Sequence, residues 1–145
     1  DSIKGKRIAF TTTNGTLAIA RSEGAKQILI GSFLNLSALT EHLTTIPHNV
    51  LVVCAAWKGK VNLEDTLFAG ALVEKLKAVA APSCDAPLMA QRLYRQAKDN
   101  MVDYLKESSH VKRLARLNIH KDIEFCLTPD RYTAVPKLMD RELTL

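Results

Sequence analysis

Two apolar runs constrain this chain most. KQILIGS (26–32) and NVLVVCAAW (49–57) are continuous, the mark of strands covered on both faces. A third β-rich segment, KRIAFTTT (6–13), precedes them. Stretches of helical period lie between. TLAIARSEGA (16–25) has Leu17, Ala20 and Arg21 at helical spacing, and Gly24 suits the helix end. NLSALTEHLTTI (35–46) sets Leu36, Leu39, Leu43 and Ile46 on one face, and Pro47 closes it. NLEDTLFAGALVEKLKAVA (62–80) is the longest helix the pattern predicts. Strand and helix alternating over short connections predict an α/β fold, a three-layer α/β/α arrangement with a mostly parallel sheet.

The second half changes character. DAPLMAQRLYRQAKDNMVDYLKES (85–108) is helical, with a break near Asp99-Asn100. SHVKRLARL (109–117) reads as another helix, with Asn118 in the left-handed cap position. DIEFCLT (122–128) reads as a late strand, and YTAVPKL (132–138) as an extended segment. The 145 residues suit a single domain. A strand begins within a few residues of Asp1 with no lead-in, so the chain is expected to be part of something longer.

Composition narrows the function classes. No run of 18 or more apolar residues occurs, so no membrane span is expected. No basic-then-apolar leader opens the chain, and three cysteines form no CxxC pair. Reduced thiols in the cytoplasm are the expectation. The net charge of +5 is spread out, densest at HVKRLAR (110–116), with few aromatics to stack bases. That argues against nucleic acid and for a small, strongly anionic substrate. A homodimer stays open.

Three stretches have the residue types for chemistry. In TTTNGT (11–16) a strand ends in hydroxyls and turns on Asn14-Gly15 into a helix. Helix N-termini offer free N–H groups to anions, and Thr11, Thr12, Thr13, Asn14 and Thr16 add donors. The plainer reading is an Asn N-cap beside a glycine. In CAAWKGKVNLED (54–65) a loop holding Trp57, Lys58 and Gly59 leads to Glu64 and Asp65 in a first helical turn. Carboxylates there either answer the helix dipole or hold Mg²⁺ and orient a water. In ESSHVKRL (107–114) Ser108 or Ser109 caps a helix, and His110 and Arg113 share a face. The pair suits an oxyanion and a leaving alkoxide, or is simply the surface of a capped helix. Cys54 ends a strand, but the cysteines read as packing. His42, His48 and His120 lack metal-ligand spacing.

Taken together, TTTNGTLA (11–18), GSFLNLSAL (31–39), LEDTLFAGAL (63–72) and SSHVKRLARLNIHKDIEFCLTPDRYTAVP (108–136) resemble the 2-phosphosulfolactate phosphatase family. The likeness covers nearly the whole chain. It implies an α/β, Mg²⁺-dependent phosphatase that converts 2-phospho-3-sulfolactate to 3-sulfolactate, a step in coenzyme M biosynthesis. By the same resemblance, Glu64 and Asp65 are the metal and catalytic carboxylates. His110 and Arg113 are catalytic, and Thr13, Asn14, Gly15, Thr16 and Ser109 bind phosphate. Family members carry a further N-terminal segment that this chain lacks, expected to supply part of the site. Val111 and Asn118 stand where the family often has glycine, as does Ala55 or Ala56 in the Trp57 loop. Two other readings stay open: a noncatalytic anion-binding α/β module, and a nucleotide-binding α/β transferase.

Overall fold

The structure is a computed structural model that describes residues 3–115 and 121–145. Among these residues seven helices follow in order: α1 (Gly15–Arg21), α2 (Leu36–Thr44), α3 (Leu63–Leu76), α4 (Asp85–Ala97), α5 (Met101–Leu105), α6 (Ser109–Ala115) and α7 (Lys121–Leu127). A 3₁₀ turn, Phe33–Asn35, leads into α2. Two short strands, β1 (Lys137–Met139) and β2 (Glu142–Thr144), pair antiparallel.

The core is helical, and α3 runs through it. Leu67 and Ala71, one turn apart, are fully buried, with Leu72 and Leu76 beside them. The leucines of α2 that the spacing groups together, Leu36, Leu39 and Leu43, are all buried against them. Helix α4 crosses α3 at Gly70, where an added Cβ would drive into the Ala90 carbonyl. Only glycine permits that approach. Phe33 meets the Phe68 ring edge-on at 5.6 Å, closing the core's side. Glu74 clasps the two helices from outside, accepting from Lys77, Gln91 and Arg95.

The GSFLN motif is structural. Buried Asn35 accepts from the Ser32 N–H and donates to the carbonyls of Ile30 and Ala134. It therefore ties the extended segment before α2 to the extended segment 132–136. Asp130, in the left-handed region at φ 57°, accepts from both the N–H and the hydroxyl of Ser37 in the first turn of α2. It supplies the cap that α2's own N-cap side chain does not.

The mostly parallel three-layer sheet is not what forms. Among the described residues the only sheet is the β1–β2 pair. Residues 28–30 run along 136–138 through two backbone hydrogen bonds and one bridge, short of a strand. Residues 6–13 and 49–57 contain no strand. Ile8 and Phe10 stand 56% and 67% exposed, and Leu51 is 86% exposed. An apolar β-rich run favours extended backbone, but a strand also needs a neighbour to take its N–H and C=O groups. Among the described residues no strand lies beside these two segments, and the one bridge in them joins Trp57 to Lys60.

The late strand is also corrected: 122–128 lies in α7 and its end. Ile123, Phe125 and Leu127 alternate, which suggests a strand. The pair that packs on the core is Ile123 and Leu127, four apart, while Phe125 faces out at 39% exposure. Cys126 is therefore on an exposed helix rather than in a strand. The break near Asp99-Asn100 is real: Asn100 accepts from the Asp103 N–H and starts α5. The expected cap at Asn118 lies outside the described residues, as does His120.

Candidate active site

The N-terminal turn of α3 is the centre around which three distant stretches meet. Glu64 Oε1 lies 2.8 Å from His110 Nδ1 on α6. Arg113 Nη2, one turn further along α6, lies 2.9 Å from the same nitrogen. The guanidinium of Arg113 sits 3.8 Å from the centroid of the Trp57 ring. Lys58 Nζ is 5.7 Å from that ring. The Lys58 N–H donates to Asn14 Oδ1 at 3.2 Å, which brings in the TTTNGT turn. Asp65 Oδ2 accepts from the Ala56 N–H at 2.8 Å.

Each position follows from local chemistry. Helix α6 is capped by Ser108, whose buried hydroxyl accepts from the Val111 N–H. That settles which serine caps. Ser109 stays exposed. Val111 packs against the core. His110 and Arg113 then share the face turned to α3, as the three-residue spacing implies. Asp65 and Glu64 answer the positive end of α3, but each side chain reaches beyond it to a different partner.

The opening turn is not capped by the expected asparagine. Asn14 occupies the N-cap position of α1 yet makes no cap bond. Thr12 caps instead, its hydroxyl accepting from the Thr16 N–H. The Thr16 hydroxyl donates back to the Thr12 carbonyl. Gly15 is where the Thr12 hydroxyl comes closest, 2.9 Å from where a Cβ would stand. So Asn14 joins the cluster, whereas Thr12 already engages the Thr16 amide. Thr13 is exposed and makes no hydrogen bond among the described residues.

The Trp57 loop is held in a costly shape. Ala56 and Lys58 have φ of 64° and 49°, and Gly59 has 76°. Left-handed backbone at non-glycine residues costs on the order of 1–3 kcal/mol each and persists only where surroundings enforce it. Here the Asp65 and Asn14 bonds do so, with the reciprocal Trp57–Lys60 backbone pair at 2.9 Å. A glycine would adopt the backbone of Ala56 without that strain.

The chemistry of the cluster turns on one nitrogen. Nδ1 of His110 can donate to Glu64 or accept from Arg113, not both. Donation to Glu64 fixes the ring and leaves Nε2, which has no partner among the described residues, for a ligand. Glu64 Oε2 is buried and meets no donor among the described residues. A buried oxygen left unmet costs about 1–3 kcal/mol. Asn62 Oδ1, just before α3, is in the same state. No group of three or more His, Cys, Asp or Glu forms a metal cluster among the described residues. Cys54 is no ready nucleophile: partial desolvation, then the Asp65 charge, push its thiol up.

Sequence reasoning finds Asn14, Glu64, Asp65, His110 and Arg113, and the structure brings all five together. It passes over Trp57 as a functional residue. The available signal was a lone tryptophan in a loop between an apolar run and an acidic helix start. No helix of the described residues is long and apolar enough to cross a membrane.

Comparison with known proteins agrees with the motifs. The family model described as 2-phosphosulpholactate phosphatase matches residues 1–141. A protein of Caldanaerobacter subterraneus named "Probable 2-phosphosulfolactate phosphatase" is 39% identical over 95% of this chain and 58% of its own length. A protein of the same name from Thermotoga petrophila is 41% identical over 97% of this chain and 60% of its own. One from Symbiobacterium thermophilum is 36% identical over 99% and 62%. The chain thus spans about three-fifths of the length of these relatives. With its motifs, its matched span and these relatives in agreement, the chain belongs to the 2-phosphosulpholactate phosphatase family.

Proposed function

We propose that the cluster at the start of α3 is the anion-binding and proton-donating part of a phosphomonoesterase site. Its substrate is a small phosphorylated 2-hydroxy acid, 2-phospho-3-sulfolactate above others, with 3-sulfolactate as product. The observation that carries this reading is the Glu64–His110–Arg113 chain, a carboxylate, an imidazole and a guanidinium in contact. The names of the relatives support the choice of substrate.

Arg113 takes phosphoryl oxygens through its N–H edges. His110, with its Nδ1–H donated to Glu64 and a second proton on Nε2, gives that second proton to the alkoxide as the ester P–O bond breaks and the oxygen of a water or an enzyme group bonds to phosphorus. Ser109 and the 13–16 turn flank the substrate. Asn14 and Asp65 hold the Trp57 loop. Mg²⁺ fits one feature of the site. The unmet Glu64 Oε2 is an acceptor of the hard type that Mg²⁺ takes, with one or two carboxylates, waters and phosphate oxygens completing its shell. Asp65, with one oxygen engaged by Ala56, would offer its other. When bound, the ion supplies positive charge against the phosphoryl group. The cytoplasm, a reducing compartment, suits three unpaired thiols.

The test is phosphate release from 2-phosphosulfolactate by the intact protein, with and without Mg²⁺. Mg²⁺-stimulated release that His110→Asn abolishes is the expected result. Release indifferent to Mg²⁺ removes the metal from the reading. No release under either condition, with phosphate still bound, leaves a noncatalytic anion-binding module.

A further inference from the structure

An arginine that binds a substrate anion has to be held without being neutralised. A carboxylate partner would fix it but would compete with the substrate for its N–H groups. Arg113 has no ion pair among the described residues. Its one close polar neighbour there is His110 Nδ1, 2.9 Å from Nη2, which does not accept from Arg113 while it donates to Glu64. What holds the rest of the group is the Trp57 ring at 3.8 Å. Stacking engages the face of a guanidinium, and its N–H groups point outward in the plane. The stack therefore anchors the charge and leaves the fork that matches phosphate.

The loop is built to hold the indole there. Trp57 lies between two left-handed non-glycine residues, Ala56 and Lys58. Each of those has its N–H held by a side chain from elsewhere, Asp65 for Ala56 and Asn14 for Lys58. Trp57 itself is pinned to Lys60 by both backbone bonds. Strained backbone maintained by this many ties points to a positional requirement. The residue so positioned is the one under Arg113.

We infer that Trp57 is a positioning residue, holding Arg113 by its face so that the guanidinium edge stays open for the phosphoryl oxygens of an anionic ester. The inference rests on the phosphomonoesterase reading for the identity of the anion. It adds the means by which the arginine is presented, and a role for Asn14 and Asp65 one step further out. It also makes the site self-reporting, because Trp57 is the sole tryptophan of the chain.

The experiment is a double-mutant cycle on the intact protein, with inorganic phosphate as the probe and calorimetry as the readout. Trp57→Phe keeps a weaker aromatic face, and Trp57→Leu keeps apolar bulk without one. Phosphate affinity should fall in the order Trp, Phe, Leu. The loss for Trp57→Leu should be about three- to thirty-fold, the range of a partly desolvated cation–π contact. In an Arg113→Gln background the same change should cost almost nothing more. Two companion readouts guard against misfolding. Wild-type fluorescence should change on phosphate addition, and the Arg113 side-chain protons should show an upfield ring-current shift that Trp57→Leu removes. Equal losses with and without Arg113 would overturn the inference, since Trp57 would then act through the loop. So would an absent ring-current shift in the wild type. If the shift is present but the wild type neither binds phosphate nor releases it from the ester, the phosphomonoesterase reading falls and the oxyanion role falls with it. An additive cycle in a protein that does turn over removes this inference alone.

Discussion

The middle and the start of α3 are built by opposite rules. In its middle, Leu67 and Ala71 are fully buried and Gly70 lets α4 press against the backbone. At its start, buried oxygens of Asn62 and Glu64 meet no donor among the described residues, and the neighbouring loop has left-handed residues that are not glycine. The first region is satisfied and tightly packed. The second holds polar groups and strain at a cost to stability. The difference teaches where to look for function: on one helix, the packed turns fix the fold, and the unsatisfied turn is the one proposed to meet a ligand. Changes at the middle should therefore lower stability, and changes at the start should lower activity.

The largest stability effect is expected from Leu67→Ala, which opens a cavity in the densest part of the core. A loss of about 2–5 kcal/mol is expected by denaturant titration, since the side chain is fully buried. Gly70→Ala comes next, at roughly 1–3 kcal/mol, because the new methyl meets the Ala90 backbone rather than a side chain able to turn away. If Gly70→Ala melts like the wild type, the close crossing of α3 and α4 is wrong.

A smaller effect sits on the outer clasp between the same helices. Hydrogen bonds from Arg95 and then Lys77 pull the Glu74 carboxyl down from 4.5 to about 2. Its folded-state value lies below its unfolded one, so the unfolded chain binds the proton first. The clasp's contribution is complete above about pH 4.5 and is lost as pH falls through about 2. Glu74→Gln should flatten that part of the stability–pH curve, and salt should shrink it in the wild type. The smallest effect belongs to the exposed run. Leu51→Thr should change stability by no more than about 0.5 kcal/mol, because the side chain is 86% exposed. A loss there comparable with Leu67→Ala would mean that 49–57 is covered after all.

The same contrast shows what can be read from sequence. Helices are legible because their apolar period names a face without reference to any partner: Leu36, Leu39 and Leu43 turn inward together. Strands are not legible in that way. NVLVVCAAW announces extended backbone, but pairing depends on a neighbour that no local pattern specifies. Residues 122–128 fail for another reason. Ile123, Phe125 and Leu127 satisfy both periods, and burial of the first and third decides for the helix. At the site, residue types and spacing are legible, so His110, Arg113, Glu64, Asp65 and Asn14 can be named in advance. Their partners are not. Nothing in TTTNGT tells that Thr12 caps α1 while Asn14 reaches Lys58, and nothing in the loop tells that Trp57 lies under Arg113.

The most direct test of the site at the start of α3 is the leaving-group dependence of His110→Asn. The wild type and the variant are compared on 2-phosphosulfolactate, whose alkoxide needs a proton to leave, and on p-nitrophenyl phosphate, whose aryl oxide needs little. With His110 as the acid, turnover of the alkyl ester should fall by roughly 10²–10⁴, the usual contribution of general acid catalysis, while the aryl ester keeps most of its rate. An equal loss on both would make the histidine a phosphate-binding group, and no loss on either would contradict a catalytic role for the Glu64–His110–Arg113 chain.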